Sequence, residues 1–208
     1  MADNRTIHLV DDDEAVRRSV GFLLRTAGFP VTAHASGTDF LAATSAATQG
    51  CVLLDIRMPG IDGLEVQRIL TSRGIALPVI MLTGHGDVTL AVRAIKAGAV
   101  DFLEKPFEKA ALLHAIEEAF ARIDDASRTQ FDAAEATLRL SALTGREHDV
   151  LEGVVRGQPN KITAHELGIS TRTVEVHRAS LMHKLKVRSL SDLLRLSFAA
   201  GMGAAEPV

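Results

Sequence analysis

The chain has 208 residues, which is long for one compact core and sufficient for two small domains. Hydrophobic residues make up 47% of it, yet no stretch approaches the roughly 18 apolar residues that a membrane-spanning helix needs. The formal net charge is −3, and the apolar start is too short for a secretory signal. We therefore expect a cytoplasmic protein that has no membrane partner.

The net charge conceals a difference between two parts of the chain. Residues 1–123 contain 12 Lys and Arg against 15 Asp and Glu, whereas residues 156–195 contain 8 against 3. A basic segment suits a surface that meets phosphates, although many solvated helical faces have the same composition.

From Thr6 onward, short apolar runs alternate with helical patterns. The runs predict strands at 7–10, 31–33, 51–54, 77–82 and 100–103, and the helical patterns span 14–27, 37–47, 63–73, 88–97 and 107–123. Continuous apolar runs are typical of parallel strands that helices cover on both faces. The pattern predicts an α/β doubly wound, five-stranded parallel sheet, in which the lone cysteine, Cys51, is a buried hydrophobe.

After Ile123 the strand pattern stops. Residues 124–140 are predicted to be a linker with partly helical character, because Ala and Glu are good helix formers. Residues 141–208 show only short helices and form a second, all-α domain, and residues 1–123 form the first.

Polar side chains follow four of the predicted strands. They are Asp11 and Asp12, Asp55, Thr83 and Lys105. Strand carboxyl ends form the ligand crevice of an open α/β sheet, so these groups should converge. Clustered carboxylates repel one another unless a hard cation such as Mg²⁺ bridges them. Asp55, on the central strand, is then the expected nucleophile for a phosphoryl group, which Thr83 and Lys105 would hold.

A simpler interpretation applies to the first acids. Residues 11–13 could cap the helix that follows, a role that we expect of Asp13 in any case. Asp87 is expected to cap a later helix in the same way.

The blocks Val10-Asp11-Asp12, Asp55-Ile-Arg-Met-Pro-Gly, Thr83-Gly-His-Gly-Asp and Glu104-Lys105-Pro106-Phe107 resemble the signatures of bacterial response-regulator receiver domains. The run from Thr83 through Phe107 most resembles the FixJ branch. The resemblance implies a flavodoxin-like receiver fold.

This resemblance also implies a role for each matching residue. Asp55 would be the phosphoacceptor, and Mg²⁺ or Mn²⁺ would be held by Asp12, Asp55 and the backbone carbonyl of Arg57, with Asp11 acting through metal-bound waters. Thr83 and Lys105 would form the switch pair. Phe102 would be the aromatic rotamer switch, at a position that is often Tyr in the family.

The C-terminal domain shows the start and stop signals of a helix-turn-helix. Thr144 and Glu147 form a predicted capping box, with a helix to about Val155. A second helix over 160–167 should end at Gly168, and Ser170 or Thr171 should cap the next.

The last of these helices has the pattern of a recognition helix. Val174, His177, Leu181 and Leu185 recur at the helical period and should face the core, which leaves four residues facing outward: Glu175, Val176, Arg178 and Ala179. In a major groove, Val176 and Ala179 could contact thymine methyls and Glu175 could accept from cytosine. Other candidate DNA contacts, mainly to phosphates, are Lys161, Thr171, Arg172, Thr173, Arg178 and Lys184.

Periodicity and charge alone also fit a plain helical bundle with a basic solvated face. The segment nevertheless resembles the LuxR-type helix-turn-helix, with Leu-Thr-x-Arg-Glu, Asn-Lys-x-x-Ala and Ile-Ser-x-x-Thr-Val-x-x-His-Arg in order. It departs at Ile162, where the apolar residue comes one place early.

Together these features predict a response-regulator transcription factor rather than a metabolic enzyme. A sensor histidine kinase, double-stranded promoter DNA and RNA polymerase are the implied partners. Phosphorylation should promote homodimerisation through the face near residues 88–97 and 107–123.

Two rival interpretations remain open at this point. One is a phosphatase of the haloacid dehalogenase type, although Ala15 stands where those enzymes need Thr or Val. The other is a receiver that acts as a docking module independently of phosphorylation.

Overall fold

The structure is a computed structural model that describes residues 5–84, 88–124 and 133–203. These residues contain no helix long and apolar enough to cross a membrane. The chain divides into two compact units: the first comprises Met1–His85 and Ala97–Arg128, and the second comprises Gly86–Lys96 and Thr129–Val208.

The first unit is built around a parallel sheet. Its strands are β1 (Ile7–Val10), β2 (Val31–His34), β3 (Cys51–Asp55), β4 (Val79–Thr83) and β5 (Asp101–Glu104). The strand order is β2-β1-β3-β4-β5, and every neighbouring pair is parallel. This order confirms the predicted five-stranded doubly wound fold.

The largest error in a predicted strand boundary is at the start of the fourth strand, while the other strand ends differ by at most one residue. The apolar run suggested that the fourth strand begins at Leu77, but β4 begins at Val79. Pro78 has no backbone N–H and cannot donate to a ladder. Its carbonyl still accepts a hydrogen bond from Val52 N at 2.9 Å, so it leads into the strand without belonging to it.

Helices cover the sheet. Those of the first unit are α1 (Glu14–Thr26), α2 (Gly37–Ala43), α3 (Gly63–Ser72) and α5 (Lys109–Asp124). α1 contacts β1 and β2, α5 contacts the three strands from β3 to β5, and α2 packs on β2 and α3. α2 is shorter than the predicted 37–47, because Thr44 is extended and Ser45 accepts a turn hydrogen bond from Thr48.

The core of the first unit lies between the sheet and the helices α1 and α5. Leu9 and Leu53 from the central strands meet Leu24 of α1 and Ile116 of α5, and all four are fully buried. Cys51 belongs to the same cluster with no exposed surface, which confirms the prediction that it is a buried hydrophobe.

The described part of the second unit is all-helical. Its helices are α4 (Val88–Lys96), α6 (Ala133–Leu140), α7 (Gly145–Val155), α8 (Asn160–Leu167), α9 (Thr171–Leu185) and α10 (Leu190–Ala199). α9 packs on α7 and α8, while α10 packs on α4, α6 and α7. The domain boundaries at 123 and 141 stay a prediction. Asp87 and residues 125–132 of the expected linker lie outside the described residues.

Capping motifs in the sequence correctly predicted these helix ends. Asp13 accepts from Ala15 N at 2.7 Å at the start of α1, and Thr144 with Glu147 forms the predicted capping box at the start of α7. Gly168, with φ of 65°, ends α8 in the left-handed conformation, and Ser170 caps α9. These contacts are local in sequence, which is why short motifs predict them.

Candidate functional site

Three carboxylates meet where β1 and β3 end. Asp11 directly follows β1 and Asp55 is the last residue of β3, the neighbouring strand. One oxygen each from Asp11, Asp12 and Asp55 can be chosen so that all three lie within 4.8 Å of one another. Asp11 and Asp55 are buried, whereas Asp12 is exposed. The cluster can hold a metal ion, and its all-oxygen donor set fits a hard cation such as Mg²⁺.

Lys105 adds a positive charge to this cluster. Its Nζ lies 2.6 Å from Asp11 Oδ2 and 3.0 Å from Asp55 Oδ1. The lysine directly follows β5, and its backbone N donates to Thr83 O at 2.8 Å, which ties it to the end of β4. The convergence expected from the strand ends is therefore present for both acids and the lysine.

Burial and the contacts between Lys105 and the acids act in opposite directions on the pKa values of Asp55 and Lys105. Burial raises the pKa of Asp55, as do the neighbouring carboxylates of Asp11 and Asp12, while Lys105 lowers it, and the net shift is upward. Burial lowers the pKa of Lys105, but its hydrogen bonds and charge attraction to Asp11 and Asp55 together outweigh burial, and the net shift is upward. A bridging proton or cation stabilises such a crowded acidic site.

A glycine at its first residue allows α3 to begin close to the backbone of Asp55, the candidate nucleophile. Gly63 N donates to Ile56 O at 2.9 Å. A Cβ on Gly63 would lie 2.4 Å from Asp55 O and 2.9 Å from Ile56 Cα, closer than real Cβ contacts. Asp62 caps the same helix by accepting from Glu65 N. The backbone at the start of α3 therefore packs directly against the backbone of Asp55 and Ile56 and fixes the position of the end of β3.

The remaining predicted receiver residues lie on, or just after, the strands β3, β4 and β5. Thr83 is buried, and its hydroxyl donates to Gly84 O at 3.3 Å. Phe102 is half-buried on β5, and Arg57 is exposed two residues beyond Asp55. The structure thus brings the acids and Lys105 into contact, while the Thr83 hydroxyl bonds within its own loop.

Two hydrogen bonds that hold Asp11 in place were not predicted from the sequence. The backbone N of Asp13 donates to Asp11 Oδ1 at 2.9 Å, and Arg17 Nη1 donates to Asp11 O at 2.6 Å. The first is an Asx-type turn that the run of acids could have suggested. The second depends on the path of α1, and no short motif signals it.

The second candidate surface is the α8-turn-α9 segment. α8 and α9 join through Gly168 and the Ser170 cap, as the sequence predicted. On α9, Arg172, Glu175, Val176 and Ala179 are exposed, and the side chain of Val176 is 55% exposed although apolar. Opposite them, the buried residues of α9 are Val174, Leu181 and Leu185.

Three other α9 residues have burial or contacts that the sequence did not predict. Arg178 is not free on the outer face, because its Nη1 donates to Asn160 Oδ1 at 2.8 Å and burial lowers its pKa. His177, expected in the core, is only half-buried. Lys184, expected to meet phosphates, forms an ion pair with Glu147 at 2.7 Å. Partners on α7 and α8 decide these orientations, and the periodicity of α9 alone cannot reveal them.

The departure from the LuxR-type pattern at Ile162 of α8 changes which residue is buried. Ile162 is 47% exposed, whereas Thr163 takes the buried place. A Cβ on Gly153 would lie 2.6 Å from Thr163 Oγ1, so a glycine on α7 makes room for this threonine. The departure therefore leaves an apolar side chain on the surface of α8.

A parallel sheet with an acidic cluster at its strand ends, followed by a helix-turn-helix, defines a class of phosphorylation-controlled DNA-binding proteins. Residues 7–117 match the response regulator receiver domain, and residues 141–197 match the bacterial regulatory proteins of the luxR family. The chain belongs to the response-regulator family and is a transcription factor of the FixJ type.

Individual relatives support this assignment over nearly the full length of the chain. The chain is 46% identical to the transcriptional regulatory protein FixJ of Azorhizobium caulinodans, over 99% of this chain and 98% of the relative. It is 48% identical to FixJ of Rhizobium meliloti, over 95% and 97%. The crystal structure of full-length FixJ from B. japonicum shares 45% identity at a TM-score of 0.57, covering 95% of this chain and 98% of that one.

These findings decide between several sequence interpretations. The family consists of transcriptional regulators and not of metabolic enzymes, so the phosphatase interpretation is wrong. The luxR match likewise shows that the C-terminal helices form a DNA-binding domain, so the interpretation as a plain helical bundle is wrong. A receiver domain implies a histidine kinase as partner, and the luxR-type domain implies DNA.

Proposed function

We propose that Asp55 accepts a phosphoryl group from a phosphohistidine of the sensor kinase. A carboxylate oxygen of Asp55 attacks phosphorus and forms the P–O bond, while the P–N bond breaks and the imidazole nitrogen leaves with the electron pair. The observation that carries this proposal is the contact of Lys105 Nζ with both Asp11 and Asp55, because it sets a fixed cation where phosphoryl oxygens would arrive.

The same cluster supports a divalent cation site. We assign its ligands to the carboxylates of Asp12 and Asp55 and to the backbone carbonyl of Arg57, with Asp11 as a partner of metal-bound water. Bound Mg²⁺, or Mn²⁺ with similar preferences, supplies charge neutralisation for the phosphoryl oxygens. The all-oxygen cluster within 4.8 Å supports this assignment.

The switch would act through Thr83, Lys105 and Phe102. A phosphoryl group brings about −1.5 to −2 charge and strong acceptor oxygens to Asp55. The Thr83 hydroxyl, now bonded to Gly84 O, can rotate toward those oxygens, and Lys105 already lies beside them. The side chain of Phe102 on β5 would then rotate into the space that Thr83 leaves. Since Phe has no hydroxyl, this switch is steric.

A small phosphodonor tests the acceptor directly. The full chain is treated with acetyl phosphate and Mg²⁺, and intact-mass spectrometry then follows the addition of one phosphoryl group. We expect modification in the parent and in Asp39→Asn, a matched control at an exposed acid on α2, and none in Asp55→Asn. Chelating the metal should also abolish it. An unmodified parent would instead support the phosphorylation-independent docking module.

We further propose that α9 enters the major groove. Its exposed face would read bases through Glu175, Val176 and Ala179, and the proposed phosphate contacts are Lys161, Thr171, Arg172 and Thr173. The exposed face of α9 and its capped N-terminus support this assignment. Arg178 and Lys184 have partners on other helices, Asn160 of α8 and Glu147 of α7, so we assign them to holding α9 in place.

Salt dependence separates phosphate contacts from base contacts. Arg172→Ala should reduce the slope of log affinity against log salt by about one, because one phosphate contact is lost. Arg68→Ala removes the same charge from α3 of the first unit and should leave the slope unchanged. An identical slope in Arg172→Ala and the parent would contradict the assignment.

Phosphorylation is proposed to promote a homodimer through the face near residues 88–97 and 107–123. A dimer would place two copies of α9 on half-sites about one DNA turn apart. Light scattering with and without acetyl phosphate measures this directly, and equal masses would contradict it. As a cytoplasmic regulator bound at promoters, the chain would then meet RNA polymerase.

A further inference from the structure

A buried carboxylate links the start of α7 to α9. Glu147 is 3% exposed. Its Oε2 accepts from Thr144 N at 2.8 Å, from Thr144 Oγ1 at 2.9 Å and from Lys184 Nζ at 2.7 Å, while its Oε1 accepts from Ser180 Oγ at 2.7 Å. Two of these donors complete the helix cap, and the other two belong to α9. The carboxylate therefore does more than cap its own helix.

This network holds Glu147 in its charged form. Its hydrogen bond with Lys184, followed by those with Thr144 N and Ser180, lowers the pKa of Glu147 to about 2. Charge-assisted hydrogen bonds are shorter and stronger than neutral ones, and they constrain direction as well as distance. The bonds to Ser180 and Lys184 thus resist movement of α9 relative to α7.

Apolar packing constrains the rotation of α9 less tightly than directional hydrogen bonds do. Its buried residues are Val174, Leu181 and Leu185, which form one narrow stripe. Apolar contact is non-directional, so a stripe of this kind tolerates small rotations about the helix axis. Directional contacts on α9 are needed to select one rotation.

The polar contacts of α9 flank that stripe on both sides. At about 100° per residue, Ser180 and Lys184 lie on one side of the stripe and Arg178 on the other. Arg178 is tied to Asn160 of α8 at 2.8 Å. A roll of about 20° would move an atom about 6 Å from the helix axis by about 2 Å. Base hydrogen bonds tolerate only a few tenths of an ångström, so such a roll would break them.

We infer that Glu147 is a positioning residue for DNA recognition, which sets the rotation of α9 through Ser180 and Lys184. This inference rests on the proposed role of α9 in DNA binding. It separates two functions within the domain: the exposed face of α9 contacts bases, and a carboxylate on α7 aligns that face. Phosphate contacts through long, flexible side chains depend less on the alignment than base contacts do.

The test compares specific with non-specific binding. The acetyl-phosphate-treated full chain first selects its preferred sequence from a random duplex library, and an alternating-sequence duplex serves as the non-specific probe. Glu147→Gln keeps the shape but loses the charge, and Ser180→Ala removes one bond from α9 while leaving the cap intact. Glu152→Gln, an exposed glutamate on the same helix, is the matched control. Thermal unfolding ensures that each variant is measured while folded.

We expect Glu147→Gln to reduce the ratio of specific to non-specific affinity by about tenfold or more, equivalent to one base contact. Ser180→Ala should reduce it in the same direction, and Glu152→Gln should match the parent. The non-specific affinity and its salt slope should match the parent in Ser180→Ala, and should be equal in Glu147→Gln and Glu152→Gln, since each of these removes one negative charge. A merely structural role would lower both affinities together.

Each other outcome has a definite meaning. If the ratio is unchanged in Glu147→Gln or in Ser180→Ala, or if both affinities fall equally, the positioning role is refuted while DNA binding stands. If Glu147→Gln does not fold, Ser180→Ala decides the question alone. If the parent selects no sequence, the proposed function of α9 fails and the inference fails with it.

Discussion

The substitution Gly63→Ala tests how the acidic site is placed. The added Cβ would lie 2.4 Å from Asp55 O and 2.9 Å from Ile56 Cα, about 1 Å inside ordinary contact distance. Both atoms belong to the main chain, so no side chain can rotate to make room. The start of α3 must therefore move away from the end of β3.

Overpacking of this kind costs about 1–3 kcal/mol, and the better helix propensity of Ala offsets less than about 1 kcal/mol. We expect a net loss of up to about 2–3 kcal/mol, which lowers the Tm of the first unit by up to about 12 °C. Because the displaced carbonyl belongs to Asp55, phosphorylation by acetyl phosphate should also slow. Thermal unfolding followed by circular dichroism measures the first effect, and intact-mass time courses measure the second.

Gly145→Ala is the matched control. Gly145 is also the first residue of its helix, α7, and a Cβ there would meet nothing within 4 Å. This control should leave both measurements unchanged or raise the Tm slightly. If Gly63→Ala were as stable as the parent and as rapidly phosphorylated, the close approach would not matter and the reasoning would be refuted.

Three further predictions concern titration and reactivity. Burial raises the pKa of Cys51 to about 12, so a thiol reagent should modify it only in denaturant, and rapid labelling of the native chain would contradict this. Burial, and then His8, lower the pKa of His34 below its ordinary 6.5, against the opposite effect of Asp39. The folded chain therefore binds fewer protons than the unfolded chain, so stability in urea should be full above pH 6.5 and fall as the pH drops below it. This fall should be weaker in His34→Gln. The pKa of Glu147, lowered from 4.5 to about 2, implies stability present above pH 4.5 and lost as the pH falls toward 2, and acid unfolding of Glu147→Gln should lack this component.

Much of the receiver site could be predicted from the chain alone. Apolar runs located the strands, and parallel strands bring their carboxyl ends to one edge, so the meeting of Asp11, Asp55 and Lys105 followed from topology. The roles of Arg57 and Phe102 rest on family resemblance and stay predictions.

The helix-turn-helix shows where such prediction fails. Its helix ends were correct because caps such as Thr144 and Gly168 act within a few residues of sequence. The contacts of Arg178 with Asn160 and of Lys184 with Glu147 were not predicted, because periodicity places charged residues on a face of α9 without identifying their partners. Their partners come from other helices, which a single-helix pattern does not contain.

The amino-acid sequence by itself determined the elements, their caps and the edge of the sheet where the acids gather, since each depends on short-range steric and hydrogen-bonding preferences. Only the tertiary structure decided which acid pairs with which cation: Lys105 with both Asp11 and Asp55, and Lys184 with a buried Glu147. The physical reason is that ion pairing and burial depend on distances of a few ångströms between residues far apart in the chain. Packing sets those distances, and local propensity does not.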